Sequence, residues 1–286
     1  MTAGSETQVR LFTFLSVLLV IAVWELAAPR RELTVSKTGR WFNNLGIVVL
    51  DSVLLKLLFP VAAMGVAAAA RENGWGFFNS FRVPLWFSLP ASVLVLDLVI
   101  YLQHLMFHAV PVFWRLHMMH HADLDFDVTT ALRFHPIEII LSMLIKMTVV
   151  AALGPPVLAV LLFEILLNGT AMFNHGNIRL PGQVDRFLRL LVVTPDMHRV
   201  HHSVLIRETN SNFGFNFPWW DRLFGTYRDQ PVAGHAAMTI GLSQFRRAEQ
   251  VTLPRLLLLP FTGNPGRYSM RYIGADPEII VKQEQK

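Results

Sequence analysis

DLVIYLQHLMFHAVPVFWRLHMMHH, residues 97–121, closes one apolar helix on a histidine pair and opens the next element on a histidine triplet. His104 and His108 are four residues apart, and His117, His120 and His121 follow the pattern H-x-x-H-H. Further along, TPDMHRVHH repeats that pattern at His198, His201 and His202. Ten of the eleven histidines lie between His104 and His202, and only His235 falls outside. Spacings of three and four place side chains on one face of a helix. Three such faces brought together make a cage of nitrogen ligands, and imidazole suits iron, zinc and copper.

The surroundings of this pattern are apolar. Of the 286 residues, 53% are hydrophobic and 16% charged, against about a quarter charged in a soluble domain. Mean hydropathy is +0.42. The metal chemistry is therefore expected to act on a lipid. The absence of cysteine excludes disulfides, cysteine-ligated zinc, iron–sulfur clusters and thiolate nucleophiles. The net charge is +5. No basic run with interleaved aromatics accompanies it, so anionic lipid headgroups explain it better than nucleic acid does.

Four apolar stretches precede or flank the histidines, at about residues 11–28, 45–70, 85–107 and 137–173. The first reads as an uncleaved membrane helix rather than a cleaved signal peptide, because a positive leading region would rest on Arg10 alone, whereas Arg30 and Arg31 follow the stretch. Pro60 predicts a kink in the second. The fourth is too long for a single span of about 20 residues, and Gly154-Pro155-Pro156 divides it into a hairpin. The loop after the first stretch carries Arg30, Arg31, Lys37 and Arg40, and the tail is rich in arginine. By the positive-inside rule both face the cytoplasm, which puts all three histidine motifs on that side. The expected fold is all-α: a multi-pass helical membrane protein with about four transmembrane helices or helical hairpins and a cytosolic, histidine-rich helical cap. Residues 256–261 are too short to span and are expected in the interface, and a polar tail is expected from about residue 277.

Asp97, Tyr101, His104 and His108 share one helical face. Asp97 is a candidate to orient His104 through its second ring nitrogen, with a helix–helix hydrogen bond as the alternative. Asp123, Asp125 and Asp127 alternate, but Val128 stands where a calcium loop needs glycine, so these acids are expected to orient histidines or cap the next element. Asp125 is the candidate among them. Thr194, Pro195 and Asp196 make a readable helix start, with Asp196 a further orienting candidate. His175, in FNHGN, is expected at the same membrane face as a ninth ligand. His135 could orient a ligand or meet a headgroup, and His235 has no assigned role. Lys146 and Glu164 either line a cavity or form an interhelical pair.

Eight or nine imidazoles exceed the needs of one metal. Over two ions they give four or five each, with room for an exchangeable ligand. Zinc with an open site usually takes three protein ligands, and the H-E-x-x-H motif is absent. Two redox-active irons that activate O2 against an unactivated C–H bond fit better. The alternatives are a histidine-rich membrane zinc hydrolase, which anaerobiosis would not affect, and a non-catalytic metal-binding or metal-transporting membrane protein. Transport needs ligands through the depth of the bilayer, whereas these histidines gather at one face.

The chain resembles the fatty acid hydroxylase / sterol desaturase superfamily over residues 97–228. The resemblance rests on the three histidine motifs, the NHG segment at His175, and the strings WRLHMMHHADLDFDVTTALRFHP and NSNFGFNFPWWDRLFGTY. It implies a single domain over residues 1–286, with N-terminal membrane helices at 1–96, a histidine-box core at 97–228 and an interfacial tail at 229–286. It further implies two Fe ions held by His104, His108, His117, His120, His121, His175, His198, His201 and His202, with O2 as co-substrate. The reaction implied is hydroxylation or desaturation of a sterol, fatty acyl chain or related isoprenoid. Some members carry a further H-x-x-x-H here, but Arg179 follows His175 at that spacing. Water, Asn174, Asn177 or His135 could fill a tenth position. No G-x-G-x-x-G fingerprint is present. Electrons are therefore expected from a separate cytochrome or ferredoxin with its reductase.

Overall fold

The computed structural model describes residues 3–270, so the tail expected from about residue 277 lies outside the described residues. The helices in chain order are α1 (Ala3–Ala27), α2 (Lys37–Leu58), α3 (Ala62–Glu72), α4 (Phe77–Ser80), α5 (Leu85–Ala109), α6 (Pro111–His121) and α7 (Pro136–Leu153). After these come α8 (Val157–Asn174), α9 (Gly182–Leu188), α10 (Pro195–His201), α11 (Ile206–Thr209), α12 (Trp219–Leu223), α13 (Gly234–Ala237) and α14 (Leu253–Thr262). Among the described residues there is no named strand, only isolated bridges such as Pro29 with Ile178.

Five segments are long and apolar enough to cross a bilayer: Thr7–Ala27, Lys37–Ser80, Leu85–Ala109, Pro136–Leu153 and Val157–Asn174. The four apolar stretches become five because the last is a hairpin of two full helices. α7 stops on Gly154, whose left-handed φ of 62° suits a helix end, and Pro156 caps the start of α8. At Pro60 the expected kink is a complete break between α2 and α3, since proline removes a backbone donor and clashes with the preceding turn.

Two sets of contacts define the two ends of the bundle. At one, the turn before α4 meets the turn between α7 and α8; a Cβ on Gly76 would lie 2.3 Å from the Gly154 nitrogen. At the other, the chain leaving α1 pairs with the chain leaving α8, through Arg30 N to Asn177 O at 3.0 Å and Arg179 N to Ala28 O at 2.9 Å. The loop holding Arg30 and Arg31 and the first turn of α2 with Lys37 and Arg40 are at this second end, and so are all the histidine motifs. Leu96, Ile100, Val150, Val160, Phe163 and Met172 pack between the spanning helices. A second core of Trp114, Met118, Met119, Leu256 and Leu259 seats α14 against α6. Residues 256–261 are thus half committed to the protein, with Leu258 and Phe261 left exposed.

Gly154 combines a positive φ with a Cβ position 2.4 Å from the Trp75 carbonyl oxygen. Gly154→Ala is expected to lower stability by about 1–3 kcal/mol, read as an earlier thermal transition in detergent. Gly39→Ala, with nothing within 4 Å of its Cβ position, is the control and should melt no earlier than the parent. Equal melting of the two variants would mean that the turns do not meet.

Candidate metal centre

The helices that carry the histidines start and stop where local chemistry directs. α6 begins with Pro111 at its first position, where a missing N–H costs nothing. Thr194 caps α10 by accepting from Met197 N, with Pro195 and Asp196 in the first turn. α8 ends on His175, which donates from Nδ1 to the Ala171 carbonyl at 2.7 Å.

Nine buried histidines converge in two groups. His104, His108, His117, His121 and His201 form one, and His120, His175, His198 and His202 the other; within each group the candidate ligand atoms lie within 4.8 Å of one another. The H-x-x-H-H pattern explains the division. Successive residues on a helix point about 100° apart, so His120 and His121 turn to different groups, as do His201 and His202. Residues four apart share a group, as His117 does with His121 and His198 with His202. α6 and α10 therefore serve both positions, while α5 serves one and the end of α8 the other.

Hydrogen bonds outside the cage fix which nitrogen faces inward. His104 Nδ1 donates to the Phe213 carbonyl at 2.8 Å, His201 Nδ1 to the Ser211 carbonyl at 2.7 Å, and His108 Nδ1 to Asn210 Oδ1 at 3.2 Å. His117 Nδ1 donates to Glu138 Oε1 at 2.7 Å. A carbonyl or carboxylate accepts only, so each of these rings carries its proton on Nδ1 and turns an Nε2 lone pair inward. The Nε2 atoms of His104 and His117 are 3.1 Å apart, as are those of His108 and His121; His175 Nε2 is 3.2 Å from both His120 Nε2 and His198 Nε2. His201 Nε2 and both ring nitrogens of His202 have no hydrogen-bond partner, although buried. Buried lone pairs facing one another repel unless a cation lies between them, and this donor set fits two metal ions.

Burial supports the same chemistry. It pushes His117 and His175 down to about 3, and His120, His121, His198, His201 and His202 well below the usual imidazole range. The rings are neutral at physiological pH, as a ligand must be, and metal binding there has few protons to displace.

The four orienting candidates read from the sequence go elsewhere. Asp97 accepts from Trp220 Nε1 at 2.7 Å; seven residues before His104, it lies about 10 Å away along the helix axis, beyond hydrogen-bond reach. Asp125 accepts from the backbone of Thr34 and Val35 at 2.8 and 2.9 Å, tying down the loop after α1. Asp196 pairs with Arg30 at 3.0 Å and with Arg199. His135 caps α7 by accepting from Ile137 N and turns its other nitrogen to the Leu257 carbonyl, towards α14 rather than the cage. His135 and Asn177, which pairs both ways with Arg31, are thus spoken for as tenth ligands. Asn174 Oδ1 is buried without a partner. Asp123 and Asp127 clamp Arg40, and Asp127 also caps the turn Val128–Leu132. Lys146 and Arg10 both pair with Glu164, at 3.2 and 3.1 Å, which is the interhelical alternative.

The carboxylate that does orient a histidine is Glu138, which no histidine spacing in the sequence points to. Its signal was available: an acid in the first turn of an otherwise apolar membrane helix usually has a task. Glu138→Gln keeps an acceptor but removes the charge that raises the basicity of His117. Metal affinity should fall about 10–100-fold, read as faster release to a chelator. Glu164→Gln should release metal at the parent rate. If the two variants behave alike, Glu138 does not tune the site.

Residues 89–226 match the family model described as fatty acid hydroxylase. The chain is 26% identical over 280 residues to an ornithine lipid hydroxylase of Rhizobium tropici, covering 96% of this chain and 81% of that protein. It is 29% identical over 192 residues to an alkylglycerol monooxygenase of Xenopus tropicalis, covering 64% of this chain and 41% of that protein. A methylsterol monooxygenase of Arabidopsis thaliana is 26% identical over 155 residues, 53% of this chain and 58% of that protein. The match thus spans well under two thirds of the two monooxygenases. No solved structure matches the chain.

Proposed function

We propose that this chain, whose residues 89–226 match the fatty acid hydroxylase family model and whose similar relatives are lipid hydroxylases and monooxygenases, is an integral membrane, di-iron, O2-dependent hydroxylase of a membrane lipid of the fatty acid hydroxylase / sterol desaturase superfamily. The observation that carries this reading is the convergence of ring nitrogens from nine buried imidazoles into groups of five and four. His104, His108, His117, His121 and His201 would hold one iron, and His120, His175, His198 and His202 the other. The pair of irons, when bound, supplies the redox chemistry that lets O2 attack an unactivated C–H bond.

The protein's own part is positioning and exclusion. Carbonyls of Ala171, Ser211 and Phe213, with Asn210 and Glu138, hold the imidazoles in one tautomer and orientation. Phe126, Phe134, Phe213 and Phe215 lie against the imidazole rings and keep water out. The four-histidine position has the smaller protein ligand set, so it is the side on which an exchangeable ligand fits. Two relatives are named for acting on amphiphilic lipids, ornithine lipid and alkylglycerol. An acyl or alkyl chain of such a lipid is the substrate class we favour, with hydroxylation as the outcome. The arginine-bearing loop after α1 sits at the histidine end, which favours a cytoplasmic centre by the positive-inside rule. Electrons then come from a separate cytoplasmic or membrane-bound carrier.

Expression of the chain in a bacterial membrane, followed by lipid mass spectrometry under isotope-labelled O2, tests the proposal. The expected product is a lipid carrying one labelled oxygen, absent under anaerobiosis. Product whose oxygen derives from water would overturn it in favour of hydrolysis.

A further inference from the structure

We propose that α9 and α12 form an apolar ledge seated within the lipid leaflet at the histidine-bearing end, deeper than the imidazoles themselves. Neither helix belongs to the five membrane-crossing segments. Yet between them and their flanks Phe187 is 62% exposed, Leu190 55%, Leu191 52%, Leu223 70% and Phe224 51%. Clustered exposure of large apolar side chains marks a surface that meets something.

The anchoring contacts give the depth. Trp220 Nε1 donates to Asp97 Oδ2 at 2.7 Å, Tyr101 Oη bonds Thr226 Oγ1 at 2.8 Å, and the Tyr101 ring stacks on Phe224 with centroids 5.4 Å apart. Both partners are on α5, a spanning helix. With a rise of about 1.5 Å per residue, Tyr101 and Asp97 lie about 12 and 18 Å before its end, whereas His104 and His108 lie about 7.5 and 1.5 Å before it. The segment that follows the third histidine motif therefore returns down the side of α5, past the cage, to the level of the hydrocarbon. α9 goes with it: Trp219 Nε1 donates to the Leu190 carbonyl at 2.7 Å, and Arg222 to the Arg189 carbonyl at 3.1 Å.

Irregular chain at that depth must satisfy its own polar groups, and this segment satisfies many of them, with Asn216 Nδ2 and Asp185 Oδ1 left buried without a hydrogen-bond partner. Buried Asp221 accepts from Phe213 N at 2.7 Å, Gly214 N at 2.8 Å and Thr226 Oγ1 at 2.7 Å. Asn212 donates to the Met197 and Arg228 carbonyls, both at 2.8 Å. Exposed Arg186 and Arg222 border the apolar side chains, a pattern that suits phosphate headgroups above acyl chains. Continuity with the spanning surface of α5 selects the bilayer, rather than a second protein, as the occupant. A lipid substrate would then reach the metal level without leaving the leaflet.

The chain has no cysteine, so single-cysteine labels report cleanly. Phe187→Cys and Leu223→Cys, with Ala236→Cys in the exposed part of α13 as the aqueous reference, are labelled with an environment-sensitive fluorophore and reconstituted in anionic phospholipid vesicles. Expected are several-fold weaker quenching by iodide at 187 and 223 than at 236, and stronger quenching there by lipids with chain-attached nitroxides. Iodide quenching at either 187 or 223 equal to that at 236 would overturn the proposal and leave a water-facing surface suited to a protein partner. The readout needs neither metal nor turnover, so it stands or falls separately from the oxygenase proposal.

Discussion

His120→Ala and His201→Ala are each expected to abolish turnover while weakening different metal positions. His120 belongs to the group of four and His201 to the group of five. Removal of His120 leaves three imidazoles at its position, and removal of His201 leaves four at the other. An ion that is lost, or held by an incomplete ligand set, cannot supply chemistry that protein side chains lack. Activity should therefore fall on the order of 10³-fold or more, about 4 kcal/mol of transition-state stabilisation. The two variants separate in metal content. His120→Ala, with three imidazoles left at its position, should retain one ion per chain, while His201→Ala, with four left, should release the ion at its weakened position to a chelator faster than the parent but more slowly than His120→Ala does. His235→Ala is the control: His235 is buried near Asp196, at 3.7 Å, and belongs to neither group, so it should keep the parent metal content. Full metal and activity in both cage variants would remove these histidines from the site.

Arg40→Met is expected to have the largest effect on folding. Arg40 is buried, with Nε and Nη2 on the two oxygens of Asp123 at 2.7 and 2.8 Å and Nη1 on Asp127 at 2.6 Å. Asp123 also accepts from Thr130 at 2.9 Å and lies 3.5 Å from Arg133. This clamp joins the start of α2 to the segment that leaves His120 and His121. Its removal leaves two buried carboxylates with too little compensating charge, at a cost of about 3–5 kcal/mol. Burial alone would raise the Asp123 pKa, but Arg40 and Arg133 outweigh it and hold the group well below the usual carboxylate range. The stability gained from that depression is present above the unfolded-state value of about 4 and is lost as pH falls below it. Arg40→Met should therefore melt earlier at neutral pH and lose less on acidification than the parent. Denaturation curves at neutral and acidic pH check both statements; an unchanged neutral melting point would show that the clamp contributes nothing net.

The parts of this molecule that were legible in the sequence are those set by local period. The pair at His104 and His108 and the two H-x-x-H-H motifs announce helical faces. Thr194-Pro195-Asp196 announces a helix start, and Gly154-Pro155-Pro156 a hairpin turn. The convergence of the three motifs at one end followed from the alternation of apolar stretches and the position of Arg30 to Arg40. What was not legible depends on contacts between distant segments. Nothing near His117 says that Glu138 will meet its ring, or near His108 that Asn210 will. Asp97 shares a face with His104, yet two helical turns separate them, and Trp220, from another part of the chain, takes its carboxylate. The alternating acids after His121 looked free to orient histidines or to cap the next element; Asp127 does cap Val128–Leu132, but buried Arg40 and the backbone at Thr34 and Val35 claim the group and none reaches a histidine. The ledge of α9 and α12 left no periodic trace, because helices of seven and five residues are too short to show one.

The measurement that tests the central proposal most directly is metal analysis of the detergent-purified protein, grown with iron and reconstituted anaerobically, with Mössbauer spectroscopy of the loaded sample. Two ions held by five and four imidazoles predict about two irons per chain in a spin-coupled state. One iron per chain, or a protein that binds zinc and refuses iron after reconstitution, would contradict the account.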